Sequence, residues 1–331
     1  MESCYAWEYV YDLCTELGIS AHVVDTGKMG RVTEKKNDIE DARRMIKRYR
    51  AGELPEIKVL PPGLRQLRDL LRYRIFITRK ISGVRCHAHF VVDRCGFHPT
   101  RSALFGERAT DPAKWPLDRS SQVQLDSMRR VLDVLEAQET AIEGEVVRQL
   151  LNVDEVRRLL TIPGVGPILA AVIYLEIGQI GRFADKEKLT AYAGLVPRIA
   201  ESDAALRMGR VRTRCNHYLK WAAIEAARHG VKNDPALKKR YMRLLGAPEN
   251  AATTVRKSKA VVAVARFLLE VVWCMLVRGE DYRVEQRGVP HAKWKDVRQR
   301  AKSYQMSTPA SLLEGARKTL DADAGMYASQ I

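Results

Sequence analysis

Cysteine is sparse in this chain: six in 331 residues, at positions 4, 14, 86, 95, 215 and 274. So thin a scatter excludes the disulfide framework of a small secreted domain and fits a reducing cytoplasm. Glycine (21) and proline (13) are too few for a collagenous or low-complexity chain. A hydrophobic share of 46% is enough to build a packed core, so the class is globular rather than disordered. The opening "MESCYAWEYV" lacks the basic start and apolar run of a signal peptide, and none is expected. Long apolar runs are scarce too. The candidate, "AVVAVARFLLEVVWCMLV" at 260–277, carries Arg266 and Glu270 in mid-run, and a charge at a bilayer centre costs about 2.5–3.5 kcal/mol. Set four apart, the two pair on one helix face, which predicts a buried helix of a soluble protein and no membrane partner. Acids are outnumbered: 40 Asp plus Glu against 56 Lys plus Arg, a formal net charge of +16. That balance favours a polyanionic partner, nucleic acid before an anionic membrane.

The length allows two or three domains. Tyr5 to Leu17 reads as a helix stopped by Gly18, "AHVVD" at 21–25 as a short strand, and Asp38 to Arg50 as a helix ended by Gly52 and Pro55. That order belongs to a sheet protein, yet a lone strand makes no sheet, so residues 1–60 are expected to be a truncated α/β domain. "PPG" at 61–63 opens a region of basic helices, 61–150. There Leu64, Leu67, Leu71 and Ile75 keep helical spacing among Arg65, Arg68, Arg72, Arg74, Arg79, Lys80 and Arg85, a basic face for RNA or DNA. Further on, Leu125, Met128, Leu132, Leu135, Ile142 and Val146 recur at threes and fours, with Glu139 as the gap. This is a coiled-coil seam that pairs within one chain or between protomers. Residues 151–280 are expected to form a compact helical domain and 281–331 a basic, partly mobile tail. The fold class is mainly α with a truncated α/β part.

Four stretches carry possible chemistry. "IPGVGP", 162–167, sets glycines in the turn between two helical runs. As a helix-hairpin-helix, backbone N–H groups of Gly164, Val165 and Gly166 would meet a phosphate at the start of the second helix; as a plain tight turn, it only packs two helices. Ser202, in "RIAESDAALRMGRVRTRC", precedes Arg207, Arg210, Arg212 and Arg214. A serine can attack phosphorus where cations offset the developing charge, but a surface-loop serine reads the same way. Asp38 and Asp41 share a helix face, with Glu2 near the chain start. Such carboxylates hold Mg²⁺ beside substrate phosphates, or they are simply favoured acids in a helix's first turn. Last, Cys86 with His89 and Cys95 with His98 have zinc-like C-x-x-H spacing, although the intervening residues are few for a zinc loop and the stretch reads as continuing basic helix.

Together these stretches resemble the insertion-sequence transposases of the IS-one-ten family, relatives of the Piv-type DNA invertases. The family's "K-T-D-x-x-D-A" is similar to Lys36-Asn37-Asp38-Ile39-Glu40-Asp41-Ala42, with Asn for Thr. Its "L-x-x-I-P-G-I-G" resembles "LLTIPGVG" at 159–166, its "F-A-G-L-x-P-R" resembles "YAGLVPR" at 192–198, and its "E-S-G" resembles Glu201-Ser202-Asp203. The likeness runs over most of residues 1 to about 280 and is most specific in the later motifs.

The resemblance implies a partial RuvC-like, ribonuclease-H-type domain with a DEDD acidic set, then a helical Tnp domain with a helix-hairpin-helix and a catalytic serine. Ser202 would link covalently to a DNA end, and Glu2, Asp38 and Asp41 would be the second, third and fourth acids, with Mg²⁺ as cofactor. The implied partners are double-stranded DNA, a structured guide (bridge) RNA and further copies of the chain, as a dimer or tetramer. The implied location is the bacterial cytoplasm, with the nucleoid. The family's first acid, in a "G-x-D" strand, has no counterpart here, and Asp203 stands where the family has glycine. The expected function is therefore a DNA transposase that cuts and rejoins DNA. The alternatives are an inactive, truncated remnant that only binds nucleic acid and a nuclease using the acids alone; Ser202 in its motif argues against the last.

Overall fold

Apolar spacing, end signals and caps divide the chain into helices in the computed structural model, which describes residues 1–3, 5–29, 38–105, 116–150, 152–202, 205–211, 214–246, 248–249, 252–282, 293 and 295. The protein is mainly helical, and it divides into two units, Met1–Pro61 and Pro62–Ile331.

In the first unit, α1 spans Trp7–Glu16 and α2 spans Asp38–Arg50. Acids open α2 (Asp38, Glu40, Asp41) and bases close it (Lys47, Arg48, Arg50), each sign suited to its end of the helix dipole. The strand expected at 21–25 is reduced to isolated bridges at Val24, which pairs in parallel with Glu2 and antiparallel with Glu56. Its amide donates to the Met1 carbonyl at 2.8 Å, and Ile57 donates to the Val23 carbonyl at 2.7 Å. Val23, Val24 and Met29 are buried, whereas neither helix buries a residue.

The second unit opens with a long helical hairpin: α3 (Pro62–Arg94), a short α4 (Arg101–Phe105) and α5 (Arg119–Leu150). The coiled-coil partners belong to one chain, since α3 packs along α5. Leu64, Leu67, Leu71 and Ile75 on α3, and Leu125, Leu132, Ile142 and Val146 on α5, are all buried. Glu139, the gap in the seam, pairs with Arg74 at 3.0 Å, and Arg74 also binds Glu143. The far end of the hairpin has its own small core of Ala88, Val91, Val92, Leu104, Leu117 and Leu125.

The base of that hairpin packs on a helical assembly: α6 (Asp154–Leu160), α7 (Pro167–Ile177), α8 (Lys186–Tyr192), α9 (His217–Asn233), α10 (Pro235–Leu245) and α11 (Thr254–Arg278). Helix α7 is apolar all round and buries nine of its eleven residues, as a central helix must. Helix α9 turns Ala222, Ala223, Ala226 and Ala227 inward, small side chains that let α7 and α11 approach closely. Helix α11 is long and apolar enough to cross a bilayer, and it packs against α6, α8, α9 and α10. Its Arg266 and Glu270 pair at 3.0 Å, as their spacing predicts.

Between α8 and α9 the chain leaves the helices as an antiparallel hairpin, β1 (Pro197–Ser202) and β2 (Ala205–Val211). Ser202 lies opposite Ala205, Ala200 opposite Arg207 and Ile199 opposite Met208, with an irregular step before Pro197–Val211.

Candidate nucleic-acid interface

The turn between α6 and α7 is built around Gly164, whose φ of +87° reverses the chain. A β-carbon there would stand 2.5 Å from the amide nitrogen of Gly230 and 2.6 Å from the carbonyl carbon of His229, so the turn lies directly on the backbone of α9. Val165 is fully buried, and its amide donates to the Ile162 carbonyl at 3.1 Å. Gly166 caps α7 in extended conformation with open space beside it, and Pro167 fills the first helical position, where no N–H is needed. The early amides of α7 have no acceptors within their own helix. Of the three turn residues expected to meet phosphate, Gly164 and Val165 are thus engaged in packing and turn closure, and Gly166 opens the start of α7.

The β1–β2 hairpin carries Ser202 at the last position of its first strand, with Arg207 and Arg210 on the returning strand. Arg212 and Asp203 lie outside the described residues, and Arg214 is exposed beyond the hairpin. Both ends of the hairpin meet at one polar knot. The Asn216 amide donates to the Tyr192 carbonyl at 2.9 Å. The Asn216 side chain caps α9 by accepting from the Leu219 amide at 2.9 Å, while its Nδ2 donates to Glu176 Oε2 at 2.7 Å and to the Tyr192 hydroxyl at 3.0 Å. Glu176, only 3% exposed, also receives both arms of Arg72: Nε to Oε1 and Nη2 to Oε2, each 2.7 Å. Burial alone would lower the Arg72 pKa, yet the hydrogen bonds and charge of Glu176 raise it above the ordinary arginine value. The Arg72 guanidinium lies over the Tyr218 ring at 4.8 Å, and Arg182 stacks between Phe183 and Tyr192, 4.5 Å from each ring centre.

These helices and the hairpin are also where the sequence meets known proteins. The family model described as "Transposase IS116/IS110/IS902 family" matches residues 156–242, from α6 through the hairpin into α10. A "Probable family 20 transposase" of Pseudomonas aeruginosa is 25% identical over 299 residues, covering 86% of this chain and 85% of the relative. The "Transposase for insertion sequence element IS1111A" of Coxiella burnetii is 24% identical, covering 86% of this chain and 78% of its own. The "Transposase for insertion sequence element IS1328" of Yersinia enterocolitica is 23% identical, covering 84% and 83%. Over these stretches the chain is similar to transposases of the IS116/IS110/IS902 family. Within the family-matched stretch, Glu176, Tyr192 and Asn216 are residues that sequence reasoning passed over. Two of the three had a signal: Glu176 is a lone charge in the apolar run "ILAAVIYLEIG", which requires a buried partner, and Asn216 stands where a helix cap is expected. The partner of Glu176, Arg72, is 104 positions away and had none.

The other candidate residues are placed as follows. Asp38 and Asp41 both lie in the first turn of α2, and Asp41 accepts from Arg44 Nη2 at 2.9 Å. Glu2 is exposed and bridges Val24 through its backbone. Among the described residues no three His, Cys, Asp or Glu side chains gather as a metal site. The aspartate pair fits Mg²⁺, which takes one or two protein carboxylates and fills its shell with water and phosphate oxygens; Glu2 does not complete a three-acid set with them. Of the zinc-spaced pairs, Cys86 and His89 lie on α3, with Cys86 exposed, whereas Cys95 and His98 follow the helix end; Cys95 donates to Ser121 at 3.4 Å and His98 pairs with Asp93 at 3.1 Å. Of the basic face, Arg65 is buried at 4% exposure, Arg72 is bound to Glu176 and Arg85 to Glu136. Burial and the neighbouring Arg72 charge lower the Arg68 pKa. Arg79 and Lys80 are exposed, near the Tyr218 and Phe76 rings respectively.

Proposed function

We propose that the chain cuts and rejoins DNA with Ser202 as nucleophile. The observation that carries this reading is that the family-matched stretch, 156–242, encloses a hairpin with Ser202 at its turn, held at both ends by the Glu176–Asn216–Tyr192 knot. The serine Oγ attacks a backbone phosphorus. An Oγ–P bond forms as the bond from phosphorus to the departing sugar oxygen breaks; that oxygen takes up a proton and the serine gives one up. A sugar hydroxyl of the strand to be joined then reverses the exchange and frees the serine. Arg207, Arg210, Arg212 and Arg214 supply the positive charge that offsets the phosphate during transfer. Gly166 and the start of α7, in a helix-hairpin-helix role, hold duplex DNA through phosphate without reading sequence. Asp38 and Asp41, within a RuvC-like unit, would hold Mg²⁺, which when bound supplies charge at a phosphoryl oxygen. Arg79 and Lys80 on α3 offer their charge to a guide RNA.

The experiment is adduct formation between the protein and end-labelled substrate DNA, resolved on a denaturing gel with matched guide RNA. Ser202→Ala is expected to abolish the covalent adduct while leaving duplex binding within about twofold, since a residue at a hairpin turn contributes little packing. Adducts that persist in Ser202→Ala move the nucleophile elsewhere. The absence of a gathered three-acid set among the described residues favours a second reading, a protein that binds nucleic acid without cutting it. Retained duplex binding with no adduct from the unaltered chain would select it.

A further inference from the structure

The turn between α6 and α7 does something besides reverse the chain. The carbonyl oxygens of Leu160, Ile162 and Val165 converge on one point, and at that point sits the ammonium of Lys293, 2.8, 2.7 and 2.8 Å from them. The three N–H bonds of the ammonium are matched by these three acceptors. Lys293 lies more than 125 residues further along the chain, with separations of 133, 131 and 128. The segment leaving α11 returns to the same turn twice before it. Arg158 Nε donates to the Gly279 carbonyl at 2.9 Å, and the Tyr282 amide donates to Thr161 Oγ1 at 2.9 Å. Tyr282 is fastened further, its hydroxyl donating to the buried Asp234 at 2.7 Å. Lys293 is half-buried, and burial lowers its pKa to about 8, so it still carries its proton at neutral pH.

A ring of backbone carbonyls is a receptor for a weakly hydrated cation of single charge, the chemistry by which channel carbonyls replace the water around potassium. Oxygens 2.7–2.8 Å from the centre stand too far out for Mg²⁺, which demands about 2.0–2.1 Å, and for Ca²⁺, which takes six to eight oxygens at about 2.3–2.6 Å. Ammonium and potassium have nearly the same radius. We infer that the carbonyls of Leu160, Ile162 and Val165 form a monovalent-cation site in the α6–α7 turn, and that Lys293 is its built-in occupant. The lysine does the work that potassium would otherwise do: it neutralises three aligned carbonyl dipoles and fixes the turn. At neutral pH it also adds positive charge at the turn that leads into α7. That last consequence rests on the duplex-binding role proposed above for the turn; the site itself does not.

The test compares the full chain with Lys293→Ala and Lys293→Met in lithium, sodium, potassium and ammonium chloride at equal ionic strength. The unaltered chain is expected to unfold at the same temperature in all four salts. Lys293→Ala opens the carbonyl ring, so its melting temperature falls by about 3–6 °C in lithium and recovers most of that loss in potassium and ammonium. Lys293→Met keeps the stem without the charge and is expected to be as unstable in lithium as Lys293→Ala. A Lys293→Ala protein equally stable in every salt, or a Lys293→Met protein as stable as the unaltered chain, overturns the inference. Duplex affinity, measured on the same samples, separates it from the reading it deepens. If the stability of Lys293→Ala follows the cation but its DNA affinity does not, the cation site stands and the phosphate contact at this turn falls.

Discussion

The two units of the chain treat their helices in opposite ways. In Met1–Pro61, α1 and α2 bury no residue, and Tyr9, Val10, Leu13, Ile39, Ile46 and Tyr49 stand exposed. In Pro62–Ile331, α7 buries nine of its eleven residues and α9 buries a full alanine stripe. Both units obey the same local rules of spacing and end signals. An isolated helix of ten to thirteen residues is nevertheless marginal in water, and what makes it persist is an apolar face with something to pack on. The second unit supplies that packing from its own chain. Among its described residues, the first supplies a small bridge of extended segments around Val24.

The contrast should be widest in hydrogen exchange. Amides in α7 and α9 are expected to exchange only through global unfolding, and those in α1 and α2 at least about a thousandfold faster. Equal protection in both units, measured by mass spectrometry on the whole chain, would break the comparison. Glycines give the next test. Gly164→Ala brings a β-carbon against backbone on α9 at a φ of +87°, and should cost about 3–5 kcal/mol from left-handed strain plus overpacking. Gly18→Ala has a similar φ of +70° but nothing within 4 Å, and should cost about 1–2 kcal/mol. Denaturant midpoints distinguish the two. The ion pairs give the smallest contrast. Glu176→Gln leaves Arg72 facing a neutral amide in a buried knot and should lose about 2–4 kcal/mol. Asp41→Asn touches a pair whose side chains are 23% and 33% exposed, and should change stability by less than about 1 kcal/mol. A Glu176→Gln loss no larger than that of Asp41→Asn would mean the knot is dispensable.

What the sequence disclosed follows from range. Helix α2 begins and ends where its acids, bases and Gly52 place it, because those signals act within one turn. The buried positions of α3 and α5 were legible from spacing; that the two helices pair with each other was not, because spacing names a face and not its partner. Helix α1 starts at Trp7 rather than Tyr5, since Ala6 takes a left-handed conformation that no local signal announces. The strand at 21–25 failed as a strand for want of neighbours longer than a bridge. At the candidate interface, the glycine turn and Ser202 could be picked out by motif. The knot that steadies the hairpin could not, because Arg72, Glu176 and Asn216 come from three separate regions, and the same is true of Lys293 in the turn.

The hairpin that bears Ser202 leaves and rejoins the helical assembly through a single doorway, where the Asn216 amide meets the Tyr192 carbonyl at 2.9 Å. Past the buried Ala193 and Leu195, the segment up to Asn216 is a cassette anchored at that contact. Its length can change, by insertion or deletion at the Ser202 turn, without asking any helix to move. A short glycine splice from Val196 to Asn216, which keeps the buried Ala193 and Leu195, should leave the helical assembly standing without its serine. The same doorway would accept a hairpin grafted from a similar transposase, so the hairpin could be exchanged while the scaffold that presents it stays the same.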